Sequence, residues 1–207
     1  MPSTRSVVCV TDCAGTTKRP SRRFGLATGV LLLCGATPAG HAFELASIET
    51  TRDGPAYVLR IEAVFQATPG QLLAVLTDYD EIHRLHQRMV ESRSLGQVGP
   101  DTTEVFTQFE GCVLVFCRTV RRVEQIRVEG LTLRAMDVPG RGSFSEGATE
   151  WHFSSGDGGT RLRYEARFVP AFPVAPILGP TILARSVERM TLETMAEADR
   201  LALLRNE

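Results

Sequence analysis

The chain has 207 residues, 43% of them hydrophobic and 23% charged, with a net charge of −1. Residues 43–207 hold 18 Arg, no Lys and 23 Asp plus Glu, a net charge of −5. That balance excludes nucleic acid as a partner, because its phosphates call for a basic surface.

The first 42 residues read as a secretory signal. Arg19, Arg22 and Arg23 precede the apolar run from Phe24 to Gly35, and small residues follow as far as "PAGHA". A basic region, a short apolar region and a small-residue site are the parts of such a signal. Cleavage is expected after Ala42, with Gly40 at the −3 position. The run is too short for a membrane span, which needs about 20 apolar residues. The expected location is therefore the periplasm. Residues 43–207 suffice for one domain with a sizeable core.

Removing the signal leaves two of five cysteines, Cys112 and Cys117. Exported thiols are usually oxidised, so a disulfide clipping a turn is expected. A zinc site would need further ligands at zinc spacing.

In chain order, Phe43–Thr50 opens a strand and "RDGP" is a turn. Tyr57, Leu59, Ile61, Ala63 and Phe65 alternate with polar residues, a half-buried strand. Thr68, Pro69 and Gln71 start a helix with a capping box. Leu72, Val75, Leu76 and Tyr79 mark its apolar face. Val90–Val98 reads as a strand, and alternation resumes around Phe109. Arg118–Val128 and Leu131–Val138 follow as strands. Phe144–Ser155 and Arg161–Val169 flank "GDGG" as a hairpin. Leu162, Tyr164, Ala166 and Phe168 face one way and the arginines between them the other. The prolines of 170–180 form an apolar linker. Thr181–Leu204 lacks Gly and Pro and reads as a long helix, with Leu183, Val187, Met190, Thr194, Ala198 and Leu201 on one face. Together these predict an α+β fold: a bent antiparallel sheet of about six or seven strands gripping the C-terminal helix, with two short helices after the first strand.

Three stretches carry a resemblance. "FQATPGQLLAVLTDYDEIHRLHQRMVESRSL", "GSFSEGATEWHFSSGDGGTRLRYEARFVPAFPVAP" and "ARSVERMTLETMAEADRL" resemble the START-like (SRPBCC) superfamily, in its polyketide cyclase/dehydrase and coenzyme-Q-binding-protein-like branch. The resemblance spans about Tyr57 to Leu204. It implies a helix-grip fold with a cavity between sheet and helix. Fold alone does not choose among carriers, receptors and cyclases.

Four groups of residues bear on chemistry. "TDYDEIHRLH" (Thr77–His86) contains three carboxylates, and His83 and His86 would share a helical face. It is readable as a metal site, an acid–base site or a helix end beside a pocket, and the last is preferred. Glu150 and His152 form a possible proton-transfer dyad or an exposed pair on a strand. Val113–Phe116 form an apolar tip, readable as a membrane-touching loop or a buried turn. Arg118, Arg121 and Arg122 suit anionic headgroups or a solvated face.

The leading reading is a periplasmic carrier that holds a hydrophobic small molecule, lipid or isoprenoid. Tyr79, Phe109, Trp151, Phe153, Tyr164, Phe168, Leu183, Val187 and Met190 are expected to line its cavity. No catalytic residue, metal or cofactor is assigned, and transient membrane contact is allowed. Two alternatives stay open: a cyclase or aromatase on the same scaffold, and an envelope interaction module. A cyclase would require His152 to point into the cavity.

Overall fold

The computed structural model describes residues 43–113, 116–156, 158–174 and 179–205. The segment read as a signal, residues 1–42, lies outside the described residues. So do Leu114 and Val115 of the apolar tip and residues 175–178 of the linker. The elements in order are β1 (Glu44–Asp53), β2 (Ala56–Phe65), α1 (Pro69–Leu76), a 3₁₀ turn (Ile82–Leu85), β3 (Met89–Gly99), β4 (Thr102–Val113), β5 (Phe116–Glu129), β6 (Thr132–Asp137), β7 (Phe144–Gly156), β8 (Gly159–Pro170) and α2 (Gly179–Leu204).

The eight strands form one antiparallel sheet in the order β1-β2-β8-β7-β6-β5-β4-β3. This is the expected helix-grip architecture with more strands than expected. β1 forms where Phe43–Thr50 is expected to open a strand, runs on to Asp53, and is almost wholly exposed, held by pairing to β2 along its length. The short helical segments follow the second strand rather than the first, and the second of them is only a 3₁₀ turn.

Alternation decides which side of the sheet is the inside. Leu59, Ile61, Ala63 and Phe65 of β2 and Leu162, Tyr164 and Ala166 of β8 are buried in one core. Between them, Arg60 pairs outward with Glu165 and Glu62 with Arg163. The capping box forms as expected: the Gln71 amide donates to Thr68 Oγ1, and the Thr68 amide donates to Gln71 Oε1 at 2.6 Å. Leu72, Val75 and Leu76 of α1 then close one end of the core.

The β2–α1 corner is locked in place. The Asp199 carboxylate of α2 is buried and accepts from the Gln66 amide at 3.1 Å and the Ala67 amide at 2.9 Å. Thr160 Oγ1 donates to Ala67 O at 2.6 Å. A Cβ at Gly159 would lie 1.9 Å from Phe65 O, so only glycine allows this approach.

The long helix is built in two halves. Its buried residues, Met195, Ala198, Asp199 and Ala202, all lie toward its C-terminus. Small alanines there allow close contact with the core. Toward the N-terminus, Leu183, Val187, Met190 and Thr191 are only half-buried, and they roof a cavity. No described helix is long and apolar enough to cross a membrane.

Candidate functional site

The cavity has two lobes between the inner face of the sheet and α2. The lobe under the N-terminal part of α2 (Leu183–Thr191), called outer, has a volume of about 270 Å³, and the lobe further along the helix (Met190–Thr194), called inner, about 170 Å³. They share Phe109, Arg122, Thr149, Tyr164, Met190 and Thr191. Strand alternation explains this set. Tyr164 sits on β8 beside Leu162 and Ala166, and α2 presents Leu183, Val187, Met190 and Thr191 at helical spacing above it.

Six of the nine sequence-expected residues line the outer lobe: Phe109, Tyr164, Phe168, Leu183, Val187 and Met190. Trp151 lines the inner lobe, edge-on to Tyr164 with ring centroids 4.7 Å apart. Phe153 is fully buried in the core and borders neither lobe. Tyr79 also borders neither lobe. The helix expected to carry it ends at Leu76: Thr77 is the C-cap, its hydroxyl on Leu73 O, and the Asp78 amide turns back to Val75 O instead of continuing the helix. Tyr79 instead packs half-buried against the core, and burial raises its phenol pKa.

Sequence reading missed the polar floor. Arg122 of β5 donates to Asp137 of β6 through two nitrogens, each at 3.0 Å, and pairs with Glu124 Oε1 at 2.8 Å. The side chains of Arg122, Glu124 and Asp137 are 21%, 10% and 5% exposed. Gly147 makes room for Asp137, since a Cβ there would lie 1.5 Å from Oδ2. Burial opposes the charge on Arg122, but the two carboxylates outweigh it and raise the guanidinium's pKa. Burial pushes the Glu124 carboxyl up, and Arg122 only partly offsets it. Burial also pushes the Tyr164 phenol up to about 12.

Opposite Arg122 in register lies Thr107 of β4. It is buried, lines the inner lobe, and its Oγ1 has no hydrogen-bond partner among the described residues. The available signal was alternation: Arg118, Val120, Arg122 and Glu124 share a strand face. That this face points inward follows only from the sheet's curvature under α2.

The other candidates resolve differently. His83 lies within a 3₁₀ turn and His86 is its extended C-cap, so the two share no helix face. His83 Nδ1 lies 3.0 Å from Asp80 O and 3.1 Å from Ser92 Oγ. His86 Nδ1 accepts from the Arg88 amide, so the proton sits on Nε2 and is donated to Glu193 at 3.0 Å. Ser92 and the Asp80 carboxylate, which accepts from the Ser94 amide at 2.8 Å, pin this segment to β3. Among the described residues no group of three His, Cys, Asp or Glu is placed to hold a metal. His152 lies on the outer face beside Thr132, its Nδ1 3.0 Å from the hydroxyl. Glu150 pairs there with Arg134. The dyad is thus outside the cavity. Arg121 also faces away, donating to Gln108 Oε1.

The fold and its cavity define a START-type helix-grip domain. The sequence matches the family described as polyketide cyclase / dehydrase and lipid transport over residues 58–202. That is well over half of the chain, which belongs to this family. Solved structures share the fold at low identity. The Zhui aromatase/cyclase from Streptomyces sp. R1128 is 13% identical, with a TM-score of 0.60, covering 73% of this chain and 96% of its own. The STAR-related lipid transfer protein from Xanthomonas axonopodis is 15% identical, with a TM-score of 0.57, covering 78% and 99%. A START superfamily protein from Mycobacterium smegmatis is 14% identical, with a TM-score of 0.54, covering 71% and 98%. No curated protein sequence matches the chain.

Proposed function

We propose that this protein binds a hydrophobic small molecule or lipid in the two-lobed cavity. The carrying observation is the cavity itself, apolar-walled and roofed by the half-buried N-terminal part of α2. Burial of the ligand's apolar surface supplies affinity at roughly 25 cal/mol per Å². Tyr164 and the unpartnered Thr107 hydroxyl orient an oxygen function at the inner end. The START lipid-transfer likeness supports this reading.

A second reading, a cyclase on the same scaffold, is favoured by one feature: Arg122 and Glu124 are ionisable groups inside the cavity. It no longer draws on His152.

We also propose export to the periplasm, with residues 1–42 removed as a signal and 43–207 forming one ligand-binding domain. The support is the basic, apolar and small-residue order at the N-terminus. A Cys112–Cys117 disulfide fits that compartment. The two residues stand directly opposite in the β4–β5 register. Such pairs have Cα atoms about 4.5–5.5 Å apart, within disulfide reach.

Native mass spectrometry of protein purified from the periplasm, with organic extraction, tests the proposal. A co-purifying lipid or isoprenoid is the expected result. A clean apo mass that stays apo after incubation with long-chain lipids overturns it.

A further inference from the structure

We infer that the ligand is an anionic amphiphile whose carboxylate or phosphate seats between Arg88 and Arg118 at the cavity mouth. This rests on the hydrophobic-ligand reading above and adds the charge and direction of the ligand.

Charge is unevenly balanced inside the outer lobe. Four arginines line it: Arg88, Arg118, Arg122 and Arg167. Arg122 is neutralised by Glu124 and Asp137, and Arg167 pairs with Asp53. Arg88 and Arg118 form no ion pair among the described residues. Most described arginines elsewhere have a carboxylate, as expected where acids outnumber arginines. Glu110, the one carboxylate lining the outer lobe, pairs with neither of them.

The backbone brings the two unpaired cations together over Gly111. Gly111 stands directly opposite Arg118 across β4 and β5, so both face the same way. A Cβ on Gly111 would lie 3.8 Å from Arg88 Nη1. The glycine therefore puts no side chain between two guanidinium-bearing residues and lets Arg88 lie close to the strand position opposite Arg118, both arginines being exposed. Arg118 is held by a ring: its Cζ sits 4.5 Å from the Phe172 centroid. Stacking uses the face of the guanidinium and leaves its N–H edge for an anion.

From that rim an aromatic wall runs inward. Phe172 contacts Phe144 at 6.4 Å between centroids, and Phe144 contacts Phe168 at 5.5 Å. An amphiphile laid along this wall has its apolar body in the lobe and its anion at the arginines. The reverse orientation sets the anion beside Glu124, a buried carboxylate that shares Arg122 with Asp137.

The test uses the purified protein and its only tryptophan, Trp151, which reports on the inner lobe. Laurate, dodecyl phosphate and dodecanol are titrated at low and high salt. Two exposed ion pairs predict a preference for the anions over the alcohol of about five- to tenfold at low salt. That preference should shrink as salt rises. The double variant R88Q/R118Q should bring the anion-to-alcohol ratio near one. E110Q should raise it, which keeps the idea testable if the double variant folds poorly. A stronger response to laurate than to dodecyl phosphate, or the reverse, names the headgroup. Equal, salt-independent binding of all three overturns the inference and leaves the hydrophobic-ligand reading standing. Binding of none of the three overturns both.

Discussion

At the scale of single residues the cavity floor combines two opposed demands. A buried carboxylate is costly unless paired, and Glu124 shares Arg122 with Asp137. The sign of the pH effect follows from its raised pKa. An acid whose pKa is higher folded than unfolded contributes its stability below the unfolded value. That stability is lost as pH rises through the folded value. Glu124→Gln keeps the shape, removes the ionisation and leaves Arg122 its two-nitrogen contact with Asp137. The variant is expected to melt higher than wild type at alkaline pH by about 1 kcal/mol, and to lose that advantage in acid. Thermal melts across pH check this; a difference constant with pH refutes it. Nothing in the sequence marked Glu124, because buried and exposed Glu look alike until the strand's inner face is known.

At the scale of elements the decisive unit is α2. Its C-terminal half is packed and tied to the β2–α1 corner by Asp199, while its N-terminal half stands over space. Asp199→Ala leaves the Gln66 and Ala67 amides without acceptors, with an expected cost of about 3 kcal/mol in urea unfolding. Asp199→Asn retains one acceptor and should lose less. A cost near zero for the alanine variant would mean that the corner is held by other contacts. The elements themselves were largely legible. Leu59, Ile61 and Phe65 gave a strand, Thr68 and Gln71 a capped helix, and "GDGG" a hairpin, because each signal is local. The exception has local causes too weak to read from pattern. The stretch after Leu76 turns because Thr77, Asp80 and Ser92 redirect the backbone through side-chain hydrogen bonds.

For the whole molecule the question is why a domain with so regular a sheet keeps a hollow. Apolar periodicity predicted which faces meet, and so placed Phe109, Tyr164, Phe168, Leu183, Val187 and Met190 together. It did not say that sheet and helix would part over these residues, since that depends on how far the strands curve. Phe153 and Tyr79 show the limit: each lies on an apolar face, yet packing consumed that face. An unfilled cavity forgoes packing contacts, so filling it should stabilise the apo protein and abolish binding together. Val187→Phe adds bulk at the roof of the outer lobe, where about 270 Å³ is free. We expect a gain of about 1 kcal/mol in the apo state. A ligand at about 100 times its Kd adds about 2.7 kcal/mol to wild type, a rise in Tm of roughly 5–10 °C for a domain of this size. Val187→Phe should lose most of that rise while starting from the higher Tm. Had the variant kept the full ligand-induced rise, the bound molecule would have to lie elsewhere. Had it lost both stability and binding, the roof would be packed more tightly than the cavity implies.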